Sequence, residues 1–97
     1  MAFLLFYHPD VLKDDAKLLN KNILQRIKQA IENRLGTAPL DYGKPLRGNL
    51  KSIWSLRVGD YRVLYRIQGL QVLVLQVVNR RDAYHEGLLE MRSKTIF

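Results

Sequence analysis

Six arginines and two lysines stand in residues 44–81, a stretch whose only acidic residue is Asp60. The eight basic residues are Lys44, Arg47, Lys51, Arg57, Arg62, Arg66, Arg80 and Arg81. The rest of the 97-residue chain is nearly balanced, so this stretch carries the whole formal charge of +7. A guanidinium can hold a phosphate with two parallel hydrogen bonds, and a concentrated basic patch attracts polyanions. The stretch predicts a nucleic-acid surface, with a solvated basic face as the simpler alternative.

Clustered arginines also suit the cleavage of RNA by its own 2′-hydroxyl. A base removes the hydroxyl proton, fixed positive charge stabilises the transition state, and an acid protonates the leaving 5′-oxygen. The nucleophile belongs to the substrate, so no metal or other cofactor is expected. Tyr84 is a candidate acid or base, a base-stacking aromatic, or simply a packing residue of a terminal helix. His85 is a second candidate proton carrier, and His8 is expected to cap a helix locally.

The composition excludes several classes of protein. Cysteine is absent, which excludes disulfides, a thiol nucleophile and thiolate metal sites. The apolar runs are too short to span a membrane, and the N-terminus shows no signal-peptide pattern, so a cytoplasmic protein is expected. We expect residues 1–97 to form a single domain.

The periodicity of apolar residues and the turn signals predict the strands and helices that position these residues. An apolar stretch at residues 2–7 predicts a strand. After Pro9, the spacing of Leu12, Ala16 and Leu19 predicts one apolar face of a short helix that ends near residue 19. A second helix, capped by Asn20 or Asn22, should end at Gly36, with an apolar stripe formed by Ile23, Ile27, Ala30 or Ile31, and Leu35. After a loop, three strands are predicted at 53–58, 61–67 and 71–78, with a short helix over 83–93. The order β-α-α-β-β-β(-α) predicts an α+β fold with a helix hairpin on one face of an antiparallel sheet.

Turn geometry predicts which side chains share a face of that sheet. A two-residue turn at Gly59-Asp60 places Arg57 opposite Arg62, on the face away from the helices. The next hairpin allows either a two-residue turn at 69–70 or a three-residue loop at 68–70. We favour the three-residue loop, which places Leu73, Leu75 and Val77 in the core and Gln76 beside Arg62. In both registers Arg80 and Arg81 follow the strand that returns beside this arginine pair.

Three segments of the sequence resemble the RelE/ParE superfamily of toxins from type II toxin–antitoxin modules. They are Leu46-Arg47-Gly48, the run from Trp54 to Tyr65 that contains "LRVGDYRVLY", and the run from Val78 to Tyr84. The middle motif is typical of the RelE-like branch. The resemblance implies a RelE-like fold and metal-independent cleavage of mRNA on the ribosome, which inhibits translation. It also implies a cognate antitoxin that wraps the toxin in a hetero-oligomer.

The resemblance also implies residue roles. It assigns Arg62, Arg81 and Tyr84 to the catalytic site and matches Arg57 to the arginine that opens the hairpin. The other expected RNA-binding residues, from the basic stretch, are Lys44, Arg47, Lys51 and Arg80. Ile53 and Ser55 stand where some members carry lysines proposed as the general base, which leaves the base unassigned. Two alternatives stay open: a ParE-type inhibitor of DNA gyrase without RNA chemistry, and a non-toxic member that keeps only antitoxin binding.

Overall fold

A computed structural model describes residues 2–48, 52–82 and 86–96, with no side chains described for 95 and 96. The strands are β1 (Leu4–Tyr7), β2 (Lys44–Pro45), β3 (Ile53–Val58), β4 (Tyr61–Gln68) and β5 (Gln71–Asn79). The α-helices are α1 (Lys21–Ala30), α2 (Pro39–Tyr42) and α3 (Glu86–Ile96). The strands form one sheet in the order β1-β5-β4-β3-β2. The predicted RelE-like α+β fold is confirmed.

The sheet is mixed, which corrects one detail of the predicted architecture. β2 to β5 pair antiparallel, but β1 runs parallel to β5, with Leu4 beside Gln71 and Tyr7 beside Val74. A parallel pair needs a long crossover connection, and the helical layer together with β2, β3 and β4 provides it. Because β1 and β5 are so far apart in sequence, no local turn signal could reveal this direction.

The first helical segment departs from the regular helix that the sequence predicts. Val11–Asp15 is wound as a wide π-type turn and Ala16–Leu18 as a tight 3₁₀ turn. Changing the winding changes which positions point inward, so Val11 is buried while Leu12, on the predicted apolar face, is 62% exposed. The predicted local role of His8 is confirmed, because its Nδ1 accepts a hydrogen bond from the Asp10 N–H at 3.1 Å.

The second helix begins and ends as its sequence predicts. The Asn20 side chain accepts a hydrogen bond from the Ile23 N–H at 2.9 Å and so caps α1. The helix continues as a wide turn, in which the Gly36 N–H donates to the Ile31 carbonyl at 3.1 Å, and then stops. The buried residues of this helix are those of the predicted stripe, Ile27, Ile31 and Leu35.

Both helical segments pack on one face of the sheet and enclose the main core. The buried members of this core are Val11, Ile27, Ile31, Leu35, Leu56, Val58, Val63, Tyr65, Val72 and Val74. The Tyr65 hydroxyl crosses the core to donate a 2.6 Å hydrogen bond to the Pro39 carbonyl at the start of α2. Burial raises the pKa of Tyr65, since the phenolate would lose its hydration.

α3 covers part of the opposite face of the sheet. Its Leu89 completes a second buried cluster with Ile53, Leu64, Leu73 and Leu75. Arg66 on β4 donates from Nη1 to the Ser93 carbonyl at 3.2 Å and to its hydroxyl at 3.0 Å. The face that carries the arginine pair is therefore covered at one end by α3. In the part of the chain that the structure describes, no helix is long and apolar enough to cross a membrane.

The register between β4 and β5 corrects a second expectation. Gln68 pairs with Gln71 across a two-residue turn, so the favoured three-residue loop is wrong. A bulge then shifts the pairing from Tyr65–Val74 to Leu64–Gln76, which leaves Leu75 without a partner. Leu73 and Leu75 therefore lie on the face of the sheet that α3 covers, and they are buried there with Leu89. Hydrophobic alternation alone predicts both leucines on the opposite face, in the core under the first two helical segments.

Candidate nucleic-acid interface

Two arginines form the centre of the candidate site. Arg57 and Arg62 are directly paired across β3 and β4, as the Gly59-Asp60 turn predicts. Arg57 is exposed and donates from Nε to the Gly59 carbonyl at 3.2 Å, so its side chain bends back over the turn. Arg62 is half-buried, and no described residue forms an ion pair or hydrogen bond with its side chain. Like charges placed opposite each other are unfavourable, so this pair is suited to an anion lying between or above them.

Arg80 and Arg81 follow directly after β5, at the same end of the sheet. The Arg80 N–H donates to the Asp60 carbonyl at 2.8 Å, which ties it to the turn between β3 and β4. Its Nε lies 3.7 Å from the Asp60 carboxylate, and both side chains are exposed, so this ion pair is weak. The Asn79 side chain accepts from the Arg81 N–H at 3.0 Å and fixes the backbone there. The Arg81 side chain is exposed.

The remaining predicted residues lie around this centre or outside the described residues. Lys44 on β2 is paired with Ser55 on β3, so it lies on the arginine face. Arg47 is exposed in the loop after β2. Lys51 and Tyr84 lie outside the described residues. The structure therefore brings four of the predicted basic residues to one end of the sheet, Arg57, Arg62, Arg80 and Arg81. Lys44 lies on the face of Arg57 and Arg62, level with Ser55 and Leu64 in the middle of the sheet.

Two residues of this face were not singled out for the site in the sequence. Gln76 pairs with Leu64 and is 8% exposed, and its Oε1 has no hydrogen-bond partner among the described residues. Arg66 was counted with the basic stretch, but its hydrogen bonds to Ser93 hold it against α3. Only the tertiary structure separates Arg66 from the arginines that stay accessible. The three-residue loop predicted Gln76 opposite Arg62. The bulge at Leu75 keeps Gln76 on the same face but places it opposite Leu64.

The electrostatics of the site are those of an uncompensated cation cluster. Asp60 is the one acidic side chain in residues 44–81, and it lies beside Arg80 at the turn. Among the described residues, no three His, Asp or Glu side chains group together as metal ligands would. Such a cluster can bind a phosphodiester and stabilise negative charge that develops on it.

An apolar groove of about 370 Å³ lies on the helical side of the molecule, away from the arginines. It is lined by both helical segments, with Leu12, Ala16, Leu24 and Lys28 among its walls, and by Tyr7 of β1. The Tyr7 hydroxyl is buried and has no hydrogen-bond partner within the described residues. Burial, and secondarily the Glu32 carboxylate, raise the pKa of Tyr7, so this hydroxyl remains a protonated donor. The groove offers a partner an apolar surface.

Comparison with known proteins decides the family. Residues 5–84 match the family model described as ParE toxin of type II toxin-antitoxin system, parDE. The chain is 39% identical over 72 residues to Toxin RelG of Mycobacterium tuberculosis, covering 72% of this chain and 83% of that one. The chain belongs to the RelE/ParE family of type II toxin–antitoxin toxins. The RelE-like branch that the sequence motif indicates is confirmed by this relative.

Solved structures of the family share the fold. The RelBE2 toxin–antitoxin complex from Mycobacterium tuberculosis has a chain that matches with a TM-score of 0.77 and 32% identity. The match covers 84% of this chain and 95% of that one. A mutant Escherichia coli toxin RelE in the free state matches over the full length of both chains, with a TM-score of 0.69 and 23% identity. Two of the matching structures, from Pyrococcus horikoshii and Methanococcus jannaschii, are toxin–antitoxin complexes of the RelBE type.

Proposed function

We propose that this RelE/ParE-family toxin is a ribosome-dependent mRNA endoribonuclease, in which the opposed pair Arg57 and Arg62 holds the scissile phosphate. The observation that supports this proposal most directly is the placement of that pair on the end of the sheet that α3 leaves free. Arg62 has no described partner, so it is available to an anion. We further propose that residues 1–97 form one domain that acts in the cytoplasm, where mRNA is translated.

The chemistry follows from a charge cluster and an internal nucleophile. The 2′-oxygen of the nucleotide loses its proton to a base, bonds to phosphorus and forms a 2′,3′-cyclic phosphate. The bond from phosphorus to the 5′-oxygen breaks, and that oxygen receives a proton from an acid. Arg62 and Arg81 stabilise the extra negative charge of the transition state, and Tyr84 is the proposed proton donor. Arg57, Lys44, Arg47, Lys51 and Arg80 are the proposed RNA-binding residues.

The dependence on the ribosome is proposed from what surrounds the arginine pair. The described side chains beside it on this face are neutral at Ser55, Leu64 and Val78, so none of these three can accept the 2′-hydroxyl proton efficiently. Ser55 stands where some family members carry a lysine proposed as the base. Lys44 pairs with Ser55 and so places an amine next to that position. A site that lacks a strong base needs its substrate held in an attacking geometry, which the ribosome can impose.

The proposal is tested by adding the purified protein to programmed ribosomes with end-labelled mRNA, beside the same mRNA without ribosomes. Cleavage that requires ribosomes supports the proposal, and a 2′,3′-cyclic phosphate at the new end supports internal attack. Cleavage of free RNA at the same rate contradicts the ribosome dependence. Absence of cleavage in both tubes, with the protein folded by circular dichroism, contradicts the endoribonuclease function.

A second candidate function is inhibition of DNA gyrase, which the match to the ParE family model favours. Gyrase supercoiling and cleavage-complex assays with the same preparation distinguish it from RNA cleavage. A folded protein that is inactive in both sets of assays, and harmless when expressed, is the result expected for a non-toxic member that keeps antitoxin binding.

We also propose that the apolar groove and the basic face together bind a cognate antitoxin in a hetero-oligomer. An antitoxin with an apolar helix and an acidic segment would complement both surfaces. Leu12 lines the groove and is 62% exposed, so Leu12→Glu should weaken co-purification with the product of the adjacent reading frame without unfolding the toxin. Leu18, which is 86% exposed and does not line the groove, provides the matched control Leu18→Glu. Equal effects of the two changes would contradict this binding site.

A further inference from the structure

A buried ion pair joins two parts of the chain that lie on opposite faces of the sheet. Arg92 of α3 donates from Nη1 to Asp15 Oδ2 at 3.0 Å and from Nη2 to Oδ1 at 3.4 Å. The side chains of Arg92 and Asp15 are 4% and 11% exposed. Replacing a buried ion pair by apolar residues is often neutral or stabilising, so such a pair is better explained by what it specifies than by the stability it adds.

The pair takes the place of a neighbouring strand along part of β5. β1 pairs with β5 only as far as Tyr7 beside Val74. Beyond this point, Arg92 Nη1 also donates to the Leu75 carbonyl at 2.8 Å, and the Val77 N–H donates to Asp15 Oδ2 at 2.9 Å. Two backbone groups that a further strand would have satisfied are therefore bound by Arg92 and Asp15.

These two backbone groups flank the bulge that sets the register of β5. Leu75 is the unpaired residue of the bulge, and after it Arg62 pairs with Val78. Without the bulge Arg62 would pair with Val77, and every later residue of β5 would turn to the other face. Val77 and Val78 exchange faces between the two registers, but both are valines, so the apolar area that is buried hardly changes. Among residues 76–78, only the polar Gln76 favours one face over the other.

We propose that the Asp15–Arg92 ion pair selects the bulged register of β5 and thereby determines on which side of the sheet Arg80 and Arg81 leave it. Both are positioning residues. Their consequence for RNA cleavage rests on the proposed function, whereas their role in the register does not. The Val74 carbonyl accepts from the His8 N–H on the β1 side of β5, so in a regular strand Leu75 and Val77 would direct their backbone groups towards β4. The bulge turns the Leu75 carbonyl and the Val77 N–H to the side where Arg92 and Asp15 bind them.

Disulfide trapping can report the register directly, because the chain has no cysteine of its own. The 2.8 Å bond from the Arg80 N–H to the Asp60 carbonyl makes Tyr61 and Asn79 a pair without mutual hydrogen bonds. Such pairs have Cα atoms about 4.5 Å apart, within the range that a disulfide spans. Tyr61→Cys with Asn79→Cys therefore reports the bulged register. Tyr61→Cys with Val78→Cys reports the unbulged one.

The two cysteine pairs are compared in the otherwise unchanged protein and in the double variant Asp15→Leu/Arg92→Met, under oxidised glutathione. The double variant removes both charges, so no lone buried charge remains to unfold the chain. We expect the unchanged protein to trap the 61–79 pair, and the ratio of 61–79 to 61–78 trapping to fall by about tenfold or more in the double variant. A ratio that stays the same in a folded double variant overturns the proposal. A double variant that fails to fold also overturns it, since the pair would then provide stability and not register.

A second measurement links the register to the proposed reaction. In the cysteine-free protein, Asp15→Leu/Arg92→Met should lower kcat for ribosome-dependent cleavage and raise KM, because Arg81 and the RNA-binding Arg80 would both leave the sheet on the other side. A loss of cleavage without a change in the trapping ratio overturns the positioning role. If the unchanged protein cleaves no RNA, the proposed function fails, and the trapping ratio still decides the register.

Discussion

At the scale of single residues, the opposed pair Arg57 and Arg62 is a feature that the fold does not need. Two guanidiniums directly across an antiparallel pair repel each other, and no described residue relieves Arg62. Side chains that reduce the stability of the fold in this way are expected where a surface binds a ligand.

The first prediction concerns this pair and rests on the proposed endoribonuclease. Arg62→Ala should lower ribosome-dependent cleavage by about 10²-fold or more, since it removes charge stabilisation from the transition state. The free energy of unfolding should stay the same or rise, because the repulsion with Arg57 is lost. Arg34→Ala, an exposed arginine on the helical side, is the control and should leave cleavage unchanged. Arrest of growth by Arg62→Ala and by Arg81→Ala as strong as that of the unchanged toxin would show that the site is wrong.

The second prediction concerns a close contact in the core. A Cβ added to Gly43 would overlap the Tyr65 hydroxyl and ring, and that hydroxyl is held by its bond to the Pro39 carbonyl. Gly43→Ala should therefore lower the free energy of unfolding by about 1–3 kcal/mol, the range for overpacking. Urea denaturation measures this change. Leu40→Ala in α2, where the side chain is 59% exposed, should change it by less than about 0.5 kcal/mol. A neutral Gly43→Ala would mean that Tyr65 moves freely.

At the scale of elements, α3 divides the second face of the sheet into two parts. One part holds the second apolar cluster under Leu89, and the other holds the arginine pair. Arg66 is bound by Ser93 of α3 and belongs to the covered part. The helix thus determines which basic side chains remain accessible to a polyanion.

The third prediction tests how firmly α3 is bound. Leu89→Ala should lower the free energy of unfolding by about 2–5 kcal/mol, because Leu89 is completely buried and its removal leaves a cavity against Leu64 and Leu73. Met91 is 69% exposed on the same helix, so Met91→Ala is the matched control with an expected change below about 0.5 kcal/mol. Thermal and urea unfolding measure both. Similar effects of the two variants would contradict the packing of α3 by Leu89.

At the scale of the whole molecule, charge and apolar surface are separated. The basic surface lies on the side of the sheet that carries Arg57 and Arg62, whereas the apolar groove lies among the helical segments of the other side. An antitoxin that binds both surfaces, as proposed above, would cover the groove with its apolar helix and compete with RNA for the basic surface with its acidic segment.

The fourth prediction concerns the pH dependence of global stability. Burial raises the pKa of Tyr65 above its ordinary value of 10.0, and Tyr7 is shifted in the same direction. Above pH 10 the unfolded chain releases these protons while the folded chain keeps them, so the free energy of unfolding should fall as the pH rises. The slope from Tyr65 can reach about 1.4 kcal/mol per pH unit.

Urea denaturation of the protein and of Tyr65→Phe at a series of pH values from 8 to about 11 measures this slope. Tyr65→Phe should be less stable at pH 8, because the bond to the Pro39 carbonyl is lost, and should show a shallower decline above pH 10. Identical slopes in the two proteins would contradict the raised pKa of Tyr65.

The sequence by itself determined those features whose signals are local. The Gly59-Asp60 turn defines the register of β3 and β4, and Gly59 has the positive φ of 58° that such a turn requires. The Asn20 cap and the apolar stripe define α1 for the same reason. Because the pairing of Arg57 with Arg62 depends only on this turn, the centre of the candidate site could be predicted before any tertiary contact was known.

The tertiary structure alone decided the features that depend on residues far apart in the chain. The parallel pairing of β1 with β5, the bulge at Leu75 and the division of the arginine face by α3 all involve such contacts. Asp15 and Arg92, which flank the bulge, are 77 residues apart. Hydrophobic alternation favoured the wrong register for β5, because it could not show that α3 buries Leu73 and Leu75 on the second face. Local patterns define a turn or a cap, but the choice between two nearly equal registers depends on which distant groups bind the backbone.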